Sequence, residues 1–594
     1  MKYFPKIELL LLVLAVSLYS CSSPKKETLS PKELTKHVSD IIVNGTTFEF
    51  IPKVEEFEQD GSYLIDFPIK EAGVFYARSK VIVSEEIQSL PEMELGVTHA
   101  AGAISVYIDG NEVFSNSSSK QGSLSHDDYG LFDYNDKVKV SLTEGEHTLV
   151  IRFEPRNKAE NRINFGFLRF DNSLAHPAVK LHAPSDDEDF EHFGYWWLGP
   201  LSKKFDVSQI ENPNISVTEM LTEEYPSNTG KSIRWNLPKL NLVKGLPGKL
   251  AYQDWRYFTG TFLDAMRSAD RHFSDLDYSE YINNHLNFFL DNRDDIQQMR
   301  DDYGLRESPF GHYFRYSLLD DIGMQTVPYV NRLLDEGLEG NEVEEQLAHE
   351  VSDYILEKAS RLPDGTFARF TPDTMSVWAD DLFMSSIVLL KMTELTGDQK
   401  YLDEVVNQVI LFDSHLRDDA SNLYWHGYFS RKGEHSPSKW GRANGWTMMA
   451  KTELLLAMPI NHPKRAQIIE IFKNHAEGLL KVQAEDGRWH QVLDNSSTYL
   501  ETSATAMFVR AYAVGVMEGW LPKEEYAESI DKGWNALAQQ IDEEGNVIGI
   551  VRGTPIMFSD QEYADWGARL NDPRGLGAVI YAAIAMDEYK NMEN

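Results

Sequence analysis

The chain has 594 residues, with 93 acidic against 57 basic side chains and a formal net charge of −36. That length exceeds one ordinary core and implies two or three domains, while 42% hydrophobic and 12% aromatic residues exclude a disordered chain. The acidic balance excludes nucleic acid as a partner, because phosphate binding needs a basic surface.

At the N-terminus, Lys2 and Lys6 precede an apolar run from Leu9 to Leu18. This has the form of a secretory signal and is too short to span a bilayer. Leu18-Tyr19-Ser20-Cys21 follows and resembles a bacterial lipobox, in which the cysteine is lipidated and becomes the first mature residue. Cys21 is the only cysteine, so no intrachain disulfide can form. Residues 1–21 thus read as a lipoprotein signal peptide and 22–40 as a polar tether. The expected location is a bacterial (outer) membrane, periplasmic or at the cell surface, with the lipid as the sole membrane contact. A signal that merely contains a cysteine is the alternative.

Residues 41–212 show period-two patterning broken by turn residues. ISVYIDGNEVF reads as two strands joined at Asp109-Gly110, and KVSLTEGEHTLVIRFEP repeats the design around Glu144-Gly145. An all-β, jelly-roll-like sandwich is expected, serving as an accessory domain separable from any chemistry. Residues 213–249, rich in Pro and Asn, read as a linker.

From residue 250 to 594 the period changes to 3.6, and apolar stripes predict about eleven helices. PDGTF, AEDGRWH and DEEGNVI recur after helices, marking repeated helical hairpins that must bury their faces on one another. Six such hairpins closing in a ring give an all-α (α/α)6 barrel, and an open solenoid is the alternative.

Four segments offer reactive groups near helix ends: YSLLDDIGM, SVWADDLFMS, LYWHGYF and SKWGRANGW. Adjacent aspartates at a helix start cap it or interact with its dipole, yet one of each pair can point inward. Two carboxylates brought together from separate helices make an acid/base pair, since repulsion and burial raise one pKa. Arg442 can hold a carboxylate and Trp440 and Trp446 can stack on a sugar, or the three form a core Trp pair with a passing Arg. No metal-ligand spacing, phosphate loop or nucleophile elbow is present.

The ordered set LLDDIG, VWADDLFM, WHGY and WGRANGW resembles the unsaturated glucuronyl and rhamnogalacturonyl hydrolases, glycoside hydrolase families 88 and 105, and more closely the latter. The resemblance covers roughly Ala251 to Asp587 and implies an (α/α)6 barrel. It implies hydration of the C4–C5 double bond of a non-reducing-end unsaturated uronate, after which the product opens and releases the adjacent sugar. It places the principal acid/base group on Asp380, its partner on Asp320, and substrate contacts on His426, Trp440, Arg442 and Trp446. Arg369 stands where some relatives carry a histidine, and suits an anionic or sulfated neighbouring sugar. No metal or organic cofactor is implied. The expected partner is an acidic oligosaccharide, held by local cations because the protein's own field is screened beyond roughly 8 Å. An inverting glycosidase or a polysaccharide lyase on an α-toroid, and a helical sugar-binding lipoprotein, are the rival readings.

Overall fold

The computed structural model describes residues 29–593 apart from 55–57, 60, 70, 100–101, 117–133, 157–160, 171–174, 185–193, 203–209, 211–214, 237–241, 249, 304, 306–307, 315–317 and 371–374. The expected signal peptide and Cys21 lie outside the described residues, as does Tyr316.

The first element corrects the expected tether. Residues 31–44 form helix α1 (Pro31–Asn44), opened by a capping box between Ser30 and Glu33 with Pro31 in the first turn. Its stripe Leu34, Val38 and Ile42 is fully buried in the core of the helical part. Burial of each such side chain is worth about 1.5–3 kcal/mol, which a solvated tether would forgo.

Strand β1 (Ile51–Val54) then leads into the strand-rich part. One antiparallel sheet takes β2 (Glu58–Gln59), β3 (Ser62–Asp66), β10 (Arg162–Arg169), β5 (Met93–His99) and β8 (Asp136–Val140), in that order. The second runs β11 (Val179–His182), β4 (Val74–Val83), β9 (Gly145–Pro155), β6 (Gly102–Ile108) and β7 (Asn111–Asn116), with β12 (Trp196–Leu201) also on β4. On β6, alternation sends Ile104, Val106 and Ile108 to one face, where they share a core with Leu95, Val97, Phe165 and Phe167 of the other sheet. Asp109 and Gly110 both take positive φ, the two-residue turn that closes β6 on β7. Glu144-Gly145 behaves differently from expectation. It reverses the chain, but β8 pairs with β5 and β9 with β4 and β6, so the turn passes between sheets.

Residues 213–249 are likewise more than a linker. They carry helix α2 (Val217–Thr222) and strands β13 (Tyr225–Pro226), β14 (Ser232–Ile233) and β15 (Leu242–Gly245). Met220, Tyr225 and Trp235 cover Tyr76, Val150 and Leu198, on the back of the second sheet. Strand β15 then pairs antiparallel with β1, so the chain enters and leaves the strand-rich part along one two-stranded ribbon.

The helical part contains α3 (Tyr257–His272), α4 (Ser279–Tyr303), α5 (Gln325–Glu336), α6 (Glu342–Glu357), α7 (Asp380–Thr396), α8 (Gln399–Leu416), α9 (Gly441–Ala457), α10 (Arg465–Leu480), α11 (Thr502–Met517), α12 (Lys523–Ala538), the short α13 (Asp560–Ala564) and α14 (Pro573–Glu593). Helices α3, α5, α7, α9, α11 and α14 pack each on the next, and α14 packs back on α3, so the six close a ring. These inner helices are buried on every side, as Thr502–Val516 of α11 are, whereas α12 buries one stripe. Behind the ring α4, α6, α8, α10 and α12 each pack on the inner helix before them, and α1 packs on α14 in the sixth outer place. The strand-rich part is thus inserted between the last outer helix and the first inner one.

Candidate active site

Before α5 the chain makes one π-helical turn, Asp320–Met324. Such turns are rare and concentrate at functional sites. Here close packing fixes it. A side chain on Gly323 would strike the Met384 carbonyl of α7, and one on Gly260 of α3 would strike the Met324 carbonyl. Only glycine lets the three inner elements approach this far, and the approach aims Asp320 toward the start of α7.

Helix α7 begins at Asp380, with no side-chain cap on its first turn. The strand just before it, β16 (Ser376–Trp378), pairs with β17 (Gly427–Phe429), and the Ala379 amide donates to the His426 carbonyl at 3.0 Å. Asp380 and His426 are therefore placed side by side by backbone pairing, with Asp380 Oδ2 3.2 Å from His426 Nε2. The two Asp-Asp pairs divide in the same way. The side chains of Asp320 and Asp380 are 16% and 15% exposed, while those of Asp321 and Asp381 are 6% and 0%. Asp321 accepts from the Tyr257 amide at 2.9 Å, anchoring the start of α3, and pairs with His312. Asp381 is held in two bonds from Arg369, at 2.8 and 2.6 Å.

Arg369, expected to serve a neighbouring sugar, is engaged by the protein itself. Its guanidinium also reaches Asp320 at 3.3 Å and lies 4.4 Å from the Trp378 ring centre. It joins the two aspartate pairs into one cluster. Burial pushes both Asp320 and Asp381 up to about 6, against the pull of Arg369. The bidentate contact favours the ionised form of Asp381, while burial favours the protonated form of Asp320. Burial also acts to raise Asp380, but His426, with Arg369 and Arg442 behind it, outweighs burial and its pKa is lowered. The site therefore holds one carboxyl inclined to keep a proton and one inclined to lose it.

His426 is fully buried, 4.6 Å from the Trp440 ring, with Nδ1 2.6 Å from the Tyr563 hydroxyl. Trp446 stacks on Phe383 at 4.9 Å and meets the edge of Tyr257. Arg442 corrects a sequence expectation. Its two terminal nitrogens donate to the carbonyls of Val551 and Arg552, the latter at 2.9 Å, so it braces the strand Ile550–Val551. What remains is a set of buried nitrogens without a hydrogen-bond acceptor among the described residues, Arg442 Nε and the indole nitrogens of Trp440 and Trp446, beside the Asp380–His426 contact. Each unmet buried group costs about 1–3 kcal/mol, so their concentration here suits a ligand rich in oxygen.

Sequence reasoning missed Tyr563, Asn444 and the separate duties of Asp321 and Asp381. Tyr563 lies on α13, whose only sequence signal is a capping box, Ser559 with Glu562. Asn444 binds both backbone groups of Tyr424 and the Trp440 carbonyl, which explains an amide inside the WGRANGW run.

The model of Glycosyl Hydrolase Family 88 matches residues 244–590, more than half of the chain. The chain belongs to this family. Over 230 residues the chain is 28% identical to the unsaturated rhamnogalacturonyl hydrolase of Bacillus subtilis (strain 168), covering 38% of this chain and 65% of that protein. A further 218-residue match is 31% identical to the unsaturated 3S-rhamnoglycuronyl hydrolase of Alteromonas sp. (strain LOR), covering 35% and 50%. The chain thus spans less than two thirds of either relative. Its fold is similar to a crystal structure of a possible member of the GH105 family from Salmonella enterica, with TM-score 0.50 and 18% identity over 63% of this chain and 92% of that one.

Proposed function

We propose that this family-88 chain is an unsaturated uronyl hydrolase. It hydrates the C4–C5 double bond of the 4,5-unsaturated uronate at the non-reducing end of lyase-generated oligosaccharides. The observation that carries this reading is the Asp320–Arg369–Asp381 cluster standing beside the Asp380–His426 contact, with one carboxyl disposed to hold a proton and the other to lose it. Protonation of C4 builds positive charge at C5, which the ring oxygen shares. Water must then arrive at C5 and lose a proton. Asp320 supplies the first proton and ionised Asp380 receives the second, whereas the sequence reading made Asp380 the principal acid/base group with Asp320 as its partner. The indole nitrogens of Trp440 and Trp446 and Nε of Arg442 meet the sugar's oxygens. The relatives named for rhamnogalacturonyl and rhamnoglycuronyl substrates support the same substrate class.

The closed succession of packed inner helices supports an (α/α)6 barrel, and the two facing antiparallel sheets support a jelly-roll-like sandwich. The lipobox-like Leu18–Cys21 supports a lipid anchor, which Cys21→Ala would abolish, moving the protein out of salt-washed membranes.

The test is loss of the double bond's ultraviolet absorbance when the protein meets unsaturated disaccharides. Asp380→Asn and Asp320→Asn should each lower kcat by about 10²–10⁴-fold. A gain of absorbance on intact polysaccharide would mark a lyase and overturn the reading.

A further inference from the structure

The strand Ile550–Val551 pairs with Ala568–Arg569, forming a small ribbon beside the start of α11. It is held unusually firmly. Glu501 accepts from the Val551 amide at 2.9 Å while Arg442 holds the carbonyls of Val551 and Arg552. The Arg552 amide in turn donates to Gly567. The Arg552 side chain is as fixed as its backbone. Its guanidinium lies 3.6 Å from the ring centre of Trp566, whose own Nε1 donates to the Gly553 carbonyl at 2.9 Å.

This cation has no counter-charge among the described residues. Among the described residues no carboxylate comes within ion-pair distance of Arg552, and its buried Nε has no acceptor. Burial lowers its pKa, and Arg569, across the ribbon and exposed, acts in the same direction. Among the described residues no ion pair reaches Arg569 either. Nearby, the Tyr499 hydroxyl is buried without a partner and feels both Arg442 and Arg552. In a chain with 93 acidic residues against 57 basic ones, two adjacent unpaired arginines run against the composition. Leaving the buried Nε of Arg552 without an acceptor is unfavourable unless a ligand meets it.

We propose that Arg552 and Arg569, backed by Trp566, form a subsite for an anionic substituent, a sulfate ester or a second carboxylate, on the sugar next to the cleaved uronate. The place follows from the bracing. Arg442 stands between Trp440, which touches His426, and the Arg552 carbonyl, so Arg552 is tied to the proton-transfer groups through Arg442 and Trp440. A guanidinium presents paired donors that fit either oxyanion. The inference rests on the uronyl-hydrolase reading and names the substrate class within it.

The experiment compares unsaturated disaccharides whose second sugar is neutral, sulfated or a uronate, with wild type, Arg552→Gln and Arg569→Gln. Each substitution should lower the ratio of kcat/KM on the charged to the neutral substrate by about tenfold or more, and the more affected of the two charged substrates identifies the natural anion. Arg569 is exposed, so its variant folds even where Arg552→Gln does not. A binding arm, calorimetry with a saturated sulfated disaccharide and with a saturated diuronide, needs no turnover, and both variants should weaken it similarly. If wild type hydrates nothing in the series but the arginine variants still lose binding, the functional reading fails and the subsite stands. Unchanged selectivity and unchanged binding in both variants overturn the subsite.

Discussion

The hydroxyl of Tyr563 lies 2.6 Å from Nδ1 of His426 and also accepts from the Met557 amide at 3.1 Å. Because Nε2 of the same ring faces the Asp380 carboxylate, the tautomer that serves both contacts has the hydroxyl donating to Nδ1. The ring hydrogen then sits on Nε2 and faces Asp380, favouring the ionised carboxylate. Tyr563 acts on Asp380 through His426, so it is a positioning residue.

Tyr563→Phe should therefore lower kcat by about tenfold or more, the range of one lost hydrogen bond to a buried partner, with KM little changed. Freed to adopt the other tautomer, His426 would turn a lone pair toward Asp380 and raise its pKa, moving the acid limb of the pH profile upward. Steady-state rates from acidic to neutral pH decide the matter. A variant with normal folding, normal kcat and an unmoved acid limb would show that Tyr563 only packs.

The two carboxyls proposed to transfer protons also fix the shape of that profile. Asp320, pushed up to about 6 by burial, must keep its proton, so the rate declines as pH rises through that region. Asp380, lowered despite burial by His426 and the two arginines, must lose its proton, so the rate declines again at more acid pH. A bell with a mildly acidic optimum is expected. In Asp320→Asn the residual activity should lose its alkaline limb and keep its acid limb. If the alkaline limb survives, the proton comes from another group.

Arg442 should behave as a brace as well as a contact. In Arg442→Ala the carbonyls of Val551 and Arg552 lose their donors, at about 1–3 kcal/mol for each that stays buried. We expect a Tm several degrees lower, a fall in kcat, and weaker response to charged second sugars, since Arg552 loses its backing. A pure substrate clamp would instead raise KM at unchanged Tm. Thermal unfolding alongside kinetics separates the two.

Much of the helical part was legible because its signals are local. The 3.6-residue period announced a run of helices from residue 250 onward, and the acidic-Gly turns marked connections between them. The site was legible as a set of segments, and the partition inside it was not. DD reads alike in both segments, and which aspartate faces inward depends on the π turn and on a guanidinium from another loop. Tyr563 and Arg552 were invisible for the same reason, since their meaning comes from His426 and Trp566, far away in sequence. The largest misreading was α1. Its composition is polar, and only the Leu34, Val38 and Ile42 stripe, meeting α14 from the other end of the chain, makes it a helix of the core.

That misreading changes how the strand-rich part can be removed. A chain beginning at Leu240 discards α1 and uncovers α14, losing three fully buried side chains whose single truncations to alanine cost about 2–5 kcal/mol for a leucine and less for valine. It should be insoluble or melt far below wild type. The register of β1 on β15 offers a better cut, because Val54 lies directly opposite Leu242. Deleting residues 55–241 and joining those two through an Asn-Gly turn keeps the ribbon, α1 and the whole ring. This internally deleted protein should fold, with a Tm well above that of the truncated chain, and should retain absorbance-loss activity. A double substitution, Leu34→Ala with Ile42→Ala, in the full chain should reproduce part of the truncation's loss while leaving the strand-rich part intact. If the chain starting at Leu240 is as stable and as active as the internal deletion, α1 is dispensable and the ring closes without it.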